Sequence, residues 1–135
     1  MNIIIDTNLW VSFLIGKKLS VLRTLLSNSY LKVYVCDILI DEIKNAAEKT
    51  KIRKYISQKD VHAVFELIDA YCINVILCKK AVSPVRDAKD LYLLSLAETV
   101  NADFILTGDK DLLTLISHYK TEIVTYSMFI SKIFK

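Results

Sequence analysis

The sequence predicts an α/β fold: a mostly parallel sheet of roughly four to five strands with helices on both faces. Three observations carry that expectation. Short runs rich in isoleucine and valine alternate along the chain with longer stretches of helical apolar spacing. Only 2 glycines and 1 proline occur in 135 residues, which fits long helices and short connections. Hydrophobic residues make up 53% and charged residues 24%, the balance of a globular chain with one core of ordinary size.

The elements follow in order. Ile3-Ile4-Ile5 predict a strand at 2–5, and helices at 8–16 and 18–28 come next. The second of these places Val21, Leu22, Leu25 and Leu26 on one face. Lys32-Val33-Tyr34-Val35 reads as the second strand. Ile40, Ile43 and Ala47 give helical spacing to 38–54. Ser57 and Asp60 have the spacing of a capping box and open a helix whose face carries Val61, Val64, Phe65, Ile68 and Cys72. Residues 73–77 suggest a third strand, and a loop from Lys79 to Arg86 holds Pro84. Residues 88–101 form a helix apolar on nearly every side, hence a buried one. A strand at 103–107, a short helix at 110–117, a strand at 122–125 and a closing helix at 127–134 complete a single domain over 1–135.

Several function classes drop out. No apolar run approaches the length of a membrane span. Asp6 interrupts what could have been the apolar core of a secretory signal, so a cytoplasmic protein is expected. Cys36, Cys72 and Cys78 form no CxxC pair, which argues against a disulfide framework or a zinc site. His62 and His118 stand alone on predicted helices. Net charge is only +3, but basic residues cluster. Lys17 with Lys18, the run Lys44, Lys49, Lys51, Arg53 and Lys54, and the run Lys79, Lys80, Arg86 and Lys89 could hold a phosphate backbone or form solvated faces.

The acids are more informative. Open parallel sheets place their sites outside the carboxyl ends of the strands. Asp6 ends the first strand, Asp109 follows the fourth, and Asp111 comes two residues later. Glu42 lies one to two turns into the helix after the second strand, and Asp87 and Asp90 open the buried helix. Any one of these could simply cap a helix. Four segments that each send a carboxylate to one sheet edge are a different matter. Gathered carboxylates repel one another unless a cation compensates, and hard magnesium or manganese suits all-oxygen ligands. Such a centre promotes in-line attack of water on phosphorus without a nucleophilic side chain.

These stretches resemble the PIN domain family, and within it toxin components of toxin–antitoxin systems, relatives of the VapC toxins. The likeness rests on Ile5-Asp6-Thr7-Asn8-Leu9-Trp10-Val11-Ser12, Leu39-Ile40-Asp41-Glu42-Ile43 and Arg86-Asp87-Ala88-Lys89-Asp90-Leu91. It continues through Ala102 to Leu113, with Thr107-Gly108-Asp109-Lys110-Asp111-Leu112-Leu113, and Ile123-Val124-Thr125. The resemblance implies an α/β/α sandwich and a Mg2+- or Mn2+-dependent ribonuclease. By position it makes Asp6, Glu42, Asp90 and Asp109 the catalytic acids, with Asp6, Asp90, Asp109 and Asp111 on the metal. Thr7, Asn8, Asp87 and Thr107 would support them. Lys44, Lys79, Lys80, Arg86 and Lys89 are candidates to hold RNA. The resemblance also implies a cognate antitoxin and a homodimer. Ala88, Lys89 and Leu91 replace a proline and two acids frequent in such relatives, which favours one metal over two. Trp10 is bulky for its place and is expected to be buried or to contact a second copy.

Two other readings compete. A phosphate-receiving regulatory domain also joins a parallel sheet to acids and magnesium, but the third strand ends in Leu77 and Cys78 without the aspartate it needs. A PIN-like binding or scaffold protein without catalysis would keep the fold and lose the metal.

Overall fold

The computed structural model describes residues 1–77 and 91–133. Among them, six strands form one sheet in the order β3-β2-β1-β4-β6-β5. The strands are β1 (Asn2–Ile5), β2 (Lys32–Val35), β3 (Ile73–Asn74), β4 (Phe104–Leu106), β5 (Ser117–His118) and β6 (Thr121–Val124). The helices are α1 (Thr7–Ile15), α2 (Leu19–Leu26), α3 (Asp37–Glu48), α4 (Thr50–Arg53), α5 (Gln58–Tyr71), α6 (Leu91–Val100), α7 (Lys110–Thr114) and α8 (Tyr126–Ile133). Every strand pair is parallel except β5 with β6. The mostly parallel sheet with flanking helices is thus the expected three-layer α/β/α architecture.

The central strand explains itself. Ile3, Ile4 and Ile5 are all 0% exposed, so β1 is covered on both faces, and β-branched side chains fill that space well. Its register with β4 sets Ile5 opposite Leu106. The chain builds β2 and β3 to one side of β1, then crosses to build β4 on the other. The ends of β1 and β4 therefore flank the point where strand order reverses, where α/β sheets open a crevice.

Trp10 is fully buried, and its indole Nε1 donates to the Ile5 carbonyl at 3.0 Å. It locks α1 against the end of β1. Helix α6 is buried through Tyr92, Leu93, Leu94, Ser95, Leu96 and Ala97, as an all-round apolar helix should be. Of the three cysteines, Cys36 is buried, Cys72 is half-buried with its thiol pushed up to about 12 by burial, and Cys78 lies outside the described residues. No helix among the described residues is long and apolar enough to cross a membrane.

The capping box forms as expected. The Ser57 side chain accepts from the Asp60 N–H at 3.2 Å, and the Asp60 carboxylate accepts from the Ser57 N–H at 3.0 Å. Ser57→Ala should cost about 1 kcal/mol of stability, the usual worth of an N-cap, read as a lower urea midpoint with unchanged slope.

Four local expectations need correction. The helix at 38–54 breaks at Lys49, whose ψ of 136° caps α3 and starts α4. Same-sign charges crowd the segment beyond, and the break keeps Ile52 packed on the core. Strand β3 spans two residues rather than five, because its partner β2 ends at Val35. Helix α7 stops at Thr114, and Ile116 turns the chain at φ 66° into β5. His118 thus lies on a strand, not a helix, and its Nε2 sits 3.0 Å from Glu98 Oε2. Val21 is exposed, so the buried face of α2 is Leu22, Leu25 and Leu26.

Candidate active site

Asp6 stands at the N-cap position of α1 with extended backbone, yet its side chain makes no cap hydrogen bond. Backbone pairing fixes its place: the Asp6 N–H donates to the Leu106 carbonyl at 2.9 Å. Its carboxylate instead accepts a 2.7 Å hydrogen bond at Oδ2 from Thr107 Oγ1, across the β1–β4 junction. Asp6 is only 5% exposed. A chain that needed only a helix cap would not bury a carboxylate there.

Thr107 links two acids. Buried beyond β4, it donates to Asp6 and accepts from the Asp109 backbone N–H at 2.9 Å. Its single hydroxyl thus fixes both the first carboxylate and the turn that presents Asp109. Asp109 Oδ1 accepts from the Asp111 N–H at 2.8 Å and caps α7. One oxygen of Asp109 is therefore committed to the fold. Asp111 is exposed on the first turn of α7.

The third acid arrives from α3. Glu42 is half-buried, and its Oε2 accepts from Thr7 Oγ1 at 3.0 Å. Thr7, the first residue of α1, is buried beside Asp6. Its hydroxyl also meets the Tyr92 hydroxyl of α6 at 3.5 Å.

Electrostatics follow from this crowding. Burial pushes the Asp6 carboxyl up from its ordinary value. The Thr107 hydroxyl and the Thr7 backbone N–H oppose that rise, while the charges of Asp109 and Glu42 add to it. A divalent cation would relieve the burial penalty and the repulsion together. All the facing donors are oxygens, the set that suits a hard cation rather than zinc. Among the described residues no three His, Cys, Asp or Glu side chains close into a ligand cluster. Asp6 and Asp109 fit two ligands of such a centre, with Glu42 alongside.

The remaining candidates divide. Asn8 is exposed on α1, and the site contacts among the described residues do not include it. Lys44 is exposed on α3, with Nζ 5.6 Å from the centroid of the Phe65 ring, so a cation–π contact leans it toward α5. Asp87, Asp90, Lys79, Lys80, Arg86 and Lys89 lie outside the described residues.

Tyr92 was not among the expected site residues. It hides in Leu91-Tyr92-Leu93-Leu94, where it reads as one more core side chain. A signal existed: a buried phenol needs a polar partner, and this one falls two residues after Asp90. Burial pushes its hydroxyl well above its ordinary value, with the Glu42 and Asp6 charges adding to the rise, so it stays protonated.

The family model for the PIN domain matches residues 2–111, a span that takes in Asp6, Glu42, Thr107 and Asp109. No curated protein matches the chain.

Proposed function

Because the chain belongs to the PIN domain family, whose members are generally nucleases that use divalent metal ions, we propose that it is a Mg2+- or Mn2+-dependent endoribonuclease. The observation that carries the reading is the Asp6 carboxylate, buried off its helix cap and facing Thr107, Asp109 and Glu42. Asp6 and Asp109 would hold the metal, joined by Asp90 and with Asp111 nearby in sequence. When bound, the cation supplies positive charge against the scissile phosphate and neutralises the carboxylates. Thr107 holds Asp6 in place while fixing the turn that presents Asp109. Glu42, held by Thr7, is the carboxylate placed to take a proton from the attacking water.

Single-stranded or looped RNA is the substrate class, since unstacked nucleotides expose the phosphodiester. Lys44, Lys79, Lys80, Arg86 and Lys89 supply charge for its backbone. The resemblance to VapC-like toxins supports a role as the toxin of a toxin–antitoxin pair, acting in the cytoplasm as a homodimer restrained by a cognate antitoxin. One observation favours a second reading. Asp109 spends an oxygen on capping α7, as it would in a non-catalytic scaffold.

Incubation with a mixed RNA pool and a matched DNA pool, with manganese or with a chelator, separates the two. The proposed nuclease cuts RNA in manganese and stops on chelation. DNA cut as readily as RNA would contradict the substrate class. No manganese binding and no cleavage would leave the scaffold.

A further inference from the structure

Thr7 Oγ1 carries one hydrogen. Its neighbour at 3.0 Å is a carboxylate oxygen of Glu42, which only accepts when ionised. The hydrogen therefore points to Glu42, and Thr7 meets Tyr92 with its lone pairs. The Tyr92 hydroxyl can then donate to Thr7, and it also faces the Glu42 carboxylate directly. Two hydroxyls, those of Tyr92 and Thr7, thus gather on the Glu42 carboxylate, the three side chains coming from three helices. The Tyr92–Thr7 separation of 3.5 Å is longer than the roughly 2.7–2.8 Å of a tight hydroxyl pair. Hydrogen bonds of catalytic groups are often long without substrate and tighten when it binds.

We propose that Tyr92 is a positioning residue of the active site, its hydroxyl acting together with that of Thr7 to hold Glu42 toward Asp6. The inference rests on the metal-dependent nuclease reading above. Core packing accounts for the Tyr92 ring, which is 8% exposed within the main cluster, but not for a hydroxyl aimed at Thr7. Phenylalanine fills the same space, so Tyr92→Phe removes the donor and keeps the ring.

The test is a double-mutant cycle on the full chain with Tyr92→Phe, Thr7→Val and the pair, and with Thr7→Ser as the conservative control. Manganese affinity by calorimetry and the separate kcat and KM for RNA are the readouts. Tyr92→Phe should lower kcat about tenfold, the scale of outer contacts to a metal site, with KM and manganese affinity unchanged, because Glu42 takes the proton and is not a ligand. In the Thr7→Val background it should change much less, because both hydroxyls act on one carboxylate, and Thr7→Ser, which keeps the hydroxyl, should recover most of what Thr7→Val loses. Effects that multiply in the double variant would overturn the proposal, as would a Tyr92→Phe protein that cleaves like the wild type. A wild type that binds no manganese would instead bring down the nuclease reading itself, and the proposal with it.

Discussion

Asp6→Asn should abolish the proposed RNA cleavage and, in the metal-free protein, raise the melting temperature. Both effects come from the same burial. The amide keeps an oxygen for the Thr107 hydroxyl, so the β1–β4 junction stays intact. It loses the charge that would bind a cation. Outer contacts to metal sites already cost up to about a hundredfold when removed, so loss of a ligand should exceed about a hundredfold in cleavage rate. The stability effect has a definite sign. Burial raises the Asp6 pKa in the fold above its ordinary 3.8, so the fold favours the neutral carboxyl. That contribution is fully present below 3.8 and is lost as pH rises through the raised value. An asparagine never loses it. The variant should therefore melt higher than the metal-free wild type at neutral pH, and the gap should close as pH falls toward 3.8. Thermal melts across pH, with and without magnesium, check this, and magnesium should raise the wild type alone. A variant that melts lower at every pH would mean that Asp6 serves the fold rather than a site.

Trp10→Ala should cost about 3–5 kcal/mol, the range for emptying a fully buried large aromatic. Domains of this kind hold about 5–15 kcal/mol in all, so that loss is a large share of the total. Two terms act together: the cavity left at a 0% exposed site, and the loss of the indole donor to the Ile5 carbonyl. Ile5 directly precedes Asp6, so the damage reaches the pocket. Trp10→Phe separates the terms, since it fills most of the space and loses only the donor. Urea unfolding of the two variants checks the magnitudes. A loss below about 1 kcal/mol for Trp10→Ala would contradict the burial argument.

Much of this fold was legible because hydrophobic period and strand chemistry agree. Strands β1 and β2 fall where Ile3-Ile4-Ile5 and Val33-Tyr34-Val35 place them, and the Ser57–Asp60 box opens α5. What escaped depends on partners distant in sequence. Strand β3 is short because β2 ends, which its own residues do not record. Strand β5 hides because Leu113, Leu115 and Ile116 extend the apolar pattern of α7 while pairing with β6 turns the chain. At the site, Asp6, Glu42 and Asp109 stood out only together, because each alone could serve the fold and several segments sending a carboxylate to one sheet edge is harder to explain. Thr107 gained its role only when the register set β4 beside β1. Tyr92 escaped because a phenol inside a leucine-rich helix looks like core until its hydroxyl meets Thr7. Asp109 proved to be both of the things its position allowed, a helix cap and a charge facing Asp6.

Asp6, Asp109 and Glu42 are proposed to face one another in order to hold a divalent cation. Calorimetric titration of manganese into the full chain, wild type beside Asp6→Asn, tests this most directly. The account predicts saturable binding to the wild type that weakens by more than about a hundredfold in the variant. Equal binding by the two proteins, or none by the wild type, would contradict it.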